Sequence, residues 1–166
     1  MARNQTIYSK FEAIEEQLAH CYFVLPGRFI ADPPLSRFWA EAAMDEMQHS
    51  SILRICRERG LVADVDVSQE TIAHIEELLE TVKNIVNDPE VTVDEAFYAS
   101  LLMESSELDA TYERLTGSLA RDHRLLFEAI QANQRAIHGS VADAAEEFRR
   151  DRSLAEAFIK HGKRAA

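Results

Sequence analysis

The sequence predicts an all-α fold: an antiparallel four-helix bundle with one extra helix in a long crossover. Three observations carry that expectation. Five Gly and four Pro in 166 residues leave little material for turns, which favours a few long helices over many short strands. Apolar residues recur at spacings of three and four over long windows, and no stretch shows the alternation a strand needs. Several segments also carry recognisable helix starts and stops.

The first helix is expected over residues 5–25, with Ile7, Phe11, Ile14, Leu18 and Leu25 on one face, ending at Pro26-Gly27. The second takes Asp32 as N-cap and Pro33 in its first turn, runs over 33–59, and stops at Gly60. A third, about 68–88, spaces Ile72, Ile75, Leu79, Val82 and Val86 for a single buried face. The fourth, 93–115, follows a Thr92/Glu95 capping box. The fifth, 122–150, contains Gly139, and a short tail helix over 152–161 follows it. The third helix lies in a connection of roughly thirty residues, so two helical hairpins joined by a long crossover form one domain over residues 1–166.

The net charge is −11, from 29 acidic and 18 basic residues. Such a surface repels phosphate, which argues against nucleic acid and anionic membranes as partners. Cys21 and Cys56 form no metal-type pair and are too few for a disulfide framework, so both are expected as buried free thiols. The N-terminal residues lack the apolar run of a secretory signal, and no stretch approaches a membrane span. A cytoplasmic protein is the expectation.

The chemically informative residues are polar groups on apolar faces. In the second helix Leu35, Trp39, Ala42, Glu46, His49, Leu53 and Cys56 form one inward seam with a carboxylate and an imidazole at its centre. Burying an unpaired carboxylate costs several kcal/mol, about 2–7 even for a neutral polar group, so something must compensate Glu46. A metal ion does so, and Glu and His at i, i+3 can bind one together. The spacing alone is weak, because chance supplies roughly one Glu-x-x-His in a chain of this composition.

The other long helices strengthen it. Glu15 lies about 70° from the centre of the first helix's apolar face, whereas Glu12 and Glu16 read as solvated. Tyr22 follows Glu15 two turns on, on the same side. In the fourth helix Glu104 falls within the face of Phe97, Leu101, Leu108, Tyr112 and Leu115, with Glu107 at its edge. In the fifth, His138 flanks the face of Leu126, Ile130, Ile137, Val141 and Phe148, and Gln134 lies inside it. Any one of these residues alone reads as an edge or hydrogen-bonded core residue. Together they read as ligands from four helices.

At these residues the chain resembles the ferritin-like, rubrerythrin-related di-iron carboxylate proteins. That family places a Glu on each of two helices and a Glu-x-x-His on each of the other two. Glu46-Met47-Gln48-His49 looks like the first Glu-x-x-His. Glu104-Ser105-Ser106-Glu107 is similar to the Glu-x-x-Glu of rubrerythrins, and Glu15 matches the first-helix ligand. The resemblance covers roughly residues 8–148. It departs at His138, where Arg135 stands in place of the expected Glu; a guanidinium cannot ligate metal.

The resemblance implies metal ligands Glu15, Glu46, His49, Glu104, Glu107 and His138, flanked by Tyr22, Gln134 and Arg135. It implies two iron ions, with manganese or zinc as alternatives and a single ion if Arg135 occupies the second ion's place. It also implies an oxidase or peroxidase acting on peroxide, dioxygen or Fe(II), and a homodimer. Rubrerythrins carry a Cys-rich rubredoxin module that this chain lacks, so an external electron donor is expected. The alternative is a non-catalytic bundle with a structural, sensing or interaction role, its inward carboxylates satisfied by Arg135, Gln134, the histidines and trapped water.

Overall fold

The structure, a computed structural model, describes residues 2–61, 64–106 and 108–116, with only the backbone of 2–4 and 109. The described residues form five α-helices and no strand: α1 Ala2–Arg28, α2 Pro33–Arg59, α3 Gln69–Asn87, α4 Val93–Glu104 and α5 Leu108–Thr116. None of these helices is long and apolar enough to cross a membrane.

Local chemistry sets most of the ends. Asp32 accepts a hydrogen bond from the Leu35 amide at 3.3 Å, and Pro33 occupies the first turn of α2, where its missing N–H costs nothing. Gly60 closes α2 at φ 69°, a left-handed conformation that costs an L side chain roughly 1–2 kcal/mol. The amides of Gly60 and Leu61 fold back onto the carbonyls of Arg57 and Cys56 at 3.3 and 2.8 Å, satisfying two orphaned acceptors. Ser68 caps α3, and Thr92 and Glu95 form the expected reciprocal capping box on α4.

Cross-helix pairs give the directions. Glu12 meets Arg54, Glu15 meets His49 and the Pro26 carbonyl meets Ser36, so α1 and α2 are antiparallel. Lys10 meets Glu76 and Gln17 meets Lys83, so α3 runs alongside α1 in the same sense. Phe97 packs on Trp39 and Tyr112 on His49, so α4 and α5 follow the direction of α2. The Tyr8 hydroxyl donates to the Leu115 carbonyl, tying the far end of α5 to the start of α1. Because α2 and α4–α5 are parallel, α3 carries the chain back between them.

α3 buries the five residues its periodicity selected, Ile72, Ile75, Leu79, Val82 and Val86. Each contributes about 1.5–3 kcal/mol on burial. At the other end of α2, Tyr22, Phe38, Trp39 and Phe97 interlock, with ring centroids 4.9–5.7 Å apart. α2 also buries Ala43, Asp45, Ser50 and Ile52. Its buried strip is wider than one seam because α1 covers one side and α4–α5 the other.

Three boundaries differ from expectation, and one is the start of α1, at Ala2 rather than residue 5. The first helix does not stop at Pro26-Gly27 but runs on to Arg28. Pro26 forfeits one backbone bond, but the Phe29 amide still reaches Leu25 O at 3.0 Å and Ser36 Oγ donates to Pro26 O at 2.9 Å. The helix expected over 93–115 is broken between Glu104 and Leu108. Ser105 Oγ donates to the Leu101 carbonyl at 2.6 Å and Ser106 Oγ to that of Met103. Ser106 Oγ also accepts the Leu108 amide at 3.1 Å. Two adjacent serines thus compete with the helical ladder and win. The helices expected over 122–150 and 152–161 lie outside the described residues.

Candidate functional site

Glu15, Glu46 and His49 come together between α1 and α2. Spacing of three on α2 places Glu46 and His49 on one inward face, and the antiparallel register brings Glu15 to the level of His49. All three are buried, with 1%, 8% and 9% of their surface exposed. His49 Nδ1 lies 3.0 Å from Glu46 Oε2 and 3.8 Å from Glu15 Oε2. The first is a hydrogen bond; the second is too long to be one. Glu15 Oε2 has no hydrogen-bond partner among the described residues.

Electrostatics follow from this crowding. Burial raises the Glu15 pKa to about 8; the charge of Glu46 adds to the shift and His49 opposes it. Burial alone would lower the His49 pKa, but the nearby Glu15 and Glu46 carboxyl groups, Glu46 within hydrogen-bond distance, outweigh that and leave it well above its ordinary value. Without a cation, this crowding favours keeping protons on Glu15 and His49.

One tyrosine packs on the group, and a Tyr22–Trp39 pair lies beyond it. The Tyr112 ring lies against the His49 imidazole, with centroids 4.4 Å apart. The Tyr22 phenol is pushed well above its ordinary pKa by burial and then by the charges of Glu104 and Glu46. Its hydroxyl and the Trp39 indole N–H, both buried, find no hydrogen-bond partner among the described residues. Glu104, half-buried as the last residue of α4, thus faces Tyr22 but stands outside the compact Glu15–Glu46–His49 group.

The donor set suits a metal ion. Its ligand atoms all lie within 4.8 Å of one another. Donors at 2.0–2.2 Å from a shared ion sit about 3.0–3.5 Å apart, so the observed 3.0 and 3.8 Å separations are close to what such an ion requires. Two carboxylates also balance a divalent charge, and the unpartnered Glu15 oxygen is an acceptor with nothing to accept. Glu107, His138, Gln134 and Arg135 lie outside the described residues.

Glu12, read from the sequence as solvated, is half-buried and pairs with Arg54 and Arg57 at 2.7 and 3.1 Å. Burial opposes these pairs, yet the two guanidiniums hold its pKa below the usual carboxylate value. Glu16 stays at the surface, near Arg54. Tyr112 was readable as a core residue, but its contact with His49 was not, because it depends on α5 running beside α2. Cys21 and Cys56 are buried, and burial pushes both thiols up to about 11, so neither is a ready nucleophile. His20 and His74 are exposed.

Comparison with family models, curated proteins and solved structures finds no match for this chain.

Proposed function

We propose that this chain is a metal-binding helical bundle of the ferritin-like, rubrerythrin-related type, acting as an iron-dependent oxidase or peroxidase on peroxide, dioxygen or Fe(II). The observation that carries the reading is the group of two carboxylates and one imidazole from two helices, all buried, with ligand atoms within 4.8 Å of one another. The parallel course of α2 and α4–α5, with α3 as the return, agrees with a four-helix bundle built on one crossover.

In this reading Glu15, Glu46 and His49 hold the ion, and Glu104 approaches it from α4. Bound iron would supply electron transfer to the oxidant. The protein's own part is to hold the ligands, keep bulk water out with Tyr22, Trp39 and Tyr112, and accept the reducing electrons from a separate donor protein.

A second reading, a non-catalytic bundle with a structural, sensing or interaction role, is favoured by the charge arrangement. Protons held by Glu15 and His49 offset the buried carboxyl groups without a cation. Elemental analysis after loading with Fe(II) without air, on wild type and a Glu46→Ala/His49→Ala variant, separates the two. Stoichiometric iron lost in the variant, with oxidation on admitting peroxide or air, supports the metalloenzyme. No iron in the wild type leaves the structural bundle.

A further inference from the structure

We infer that the outer face of α2 is a self-docking surface, on which the α2 of a second copy of this chain packs antiparallel about a two-fold axis. This concerns the side of the helix turned away from Glu46 and His49 and does not depend on the metal-binding reading. The first argument is exposure. α2 packs one broad side into the core, yet Met44 and Ile55 remain 64% and 48% exposed. They stand three helical turns apart, and at 100° per residue they fall within about 20° of one another. The exposed Gln48 and Ser51 lie between them on the same strip. Single apolar side chains in water need no explanation, but two large ones aligned along the solvent side of an amphipathic helix form a stripe that a partner helix can cover.

The second argument is self-complementarity, which singles out a second copy as the occupant. In a two-fold contact each residue meets a partner that it also meets in return. With the axis passing between Gln48 and Ser51, Met44 opposes Ile55, Gln48 opposes Ser51 and Glu41 opposes Arg59, each pair occurring twice. Glu41 and Arg59 are both exposed and fall on the same flank, each about 40° from the line of Ile55. Arg37 holds Oε1 of Glu41 at 2.7 Å, leaving Oε2 for Arg59 of the other copy. Apolar thus meets apolar and acid meets base.

The same residues penalise the other pairings. A shift of one turn opposes Arg37 to Arg59 and Ile55 to Glu41, or Met44 to Arg59 and Ile55 to Gln48. Parallel helices would set Glu41 on Glu41 and Arg59 on Arg59. Glu46 and His49 lie about 180° and 120° around the helix from Ile55, so the contact leaves them untouched. One helix per copy makes a small interface, below about 1,200 Å², so the dimer forms over the micromolar range.

Sedimentation velocity of the full chain across about 1–200 µM tests this on wild type, Ile55→Glu, Glu41→Arg and Arg59→Glu, with thermal unfolding to check that each variant folds. Wild type should pass from monomer to dimer as its concentration rises. Ile55→Glu should weaken the dimer at least about a hundredfold, because the change enters twice. Glu41→Arg and Arg59→Glu should each weaken it at least about tenfold by opposing like charges. An equimolar mixture of those two variants should dimerise within about threefold of wild type, since both acid–base pairs are then restored, an outcome that a structural role within one chain cannot produce. A wild type that stays monomeric, with Met44 and Ile55 either open to or shielded from oxidative footprinting, overturns the inference. So does a dimer indifferent to Ile55→Glu, or a mixture that does not recover.

Discussion

Glu15 and His49 make the metal-free protein sensitive to pH in a direction opposite to that of ordinary salt-bridged carboxylates. Both have raised pKa values in the folded chain, Glu15 from 4.5 to about 8 and His49 to well above 6.5. A group bound more tightly to its proton in the folded state stabilises the fold below its unfolded pKa and loses that contribution as pH rises through its folded pKa. Glu15 therefore costs stability progressively between about pH 4.5 and 8, and His49 from about 6.5 upward. Metal-free stability, and with it Tm, should fall from pH 6 to pH 9, by on the order of 1 kcal/mol per pH unit from each group while it titrates, Glu15 up to about pH 8 and His49 beyond. Glu15→Gln should flatten that fall. Thermal unfolding in chelator across this range is the check, and a Tm that rises with pH would contradict a protonated Glu15. Metal binding carries the same protons with the opposite consequence. A cation needs Glu15 and His49 deprotonated, so affinity should rise about 10–100-fold per pH unit between pH 6 and 8, as competition with a chelator would show. At this scale the sequence marked Glu15, Glu46 and His49 as inward through helical periodicity alone. It misjudged Glu12, because the Arg54 and Arg57 that bury it come from a partner helix 42 and 45 positions away.

Among the elements, ends governed by local chemistry were readable and ends governed by competition were not. Asp32, Gly60, Ser68 and the Thr92/Glu95 box act within a few residues of themselves, and α2, α3 and the start of α4 lie where those signals put them. The break after Glu104 depends instead on a contest between serine hydroxyls and the backbone ladder, which periodicity does not register. That contest is testable. Replacing Ser105 and Ser106 with Ala removes both hydroxyls and returns the Leu108 amide to a backbone acceptor. Because Ala exceeds Ser in helix propensity by roughly 0.5 kcal/mol per site, the double variant should be more stable by about 1 kcal/mol, with higher ellipticity at 222 nm. A destabilised variant would mean that packing around Tyr112 and Leu115, rather than the serines, holds the break open. A Gly60→Ala change should act the other way, costing about 1–2 kcal/mol, because its φ of 69° is imposed by the close of α2.

Across the molecule, core and candidate site share α1 but not the same partners. α3 buries Leu79 and Val82 and meets α1 through the edge pairs Lys10–Glu76 and Gln17–Lys83, whereas the site uses the face of α1 turned to α2. Leu79→Ala should therefore cost about 2–5 kcal/mol through lost burial and the cavity it leaves, yet keep the stoichiometry of bound metal unchanged. Ligand binding adds stability as RT ln(1 + [L]/Kd), so a saturating ion at a hundred times its Kd should restore about 2.7 kcal/mol in wild type and variant alike. Unfolding of both proteins with and without Zn(II) decides the matter. Equal metal-dependent gains would mean that the site is assembled by the α1–α2 pair and that α3 serves the core. A gain lost in Leu79→Ala would mean that the ligand geometry depends on α3 holding α1 in place, and that core and site cannot be treated as separate parts of the bundle.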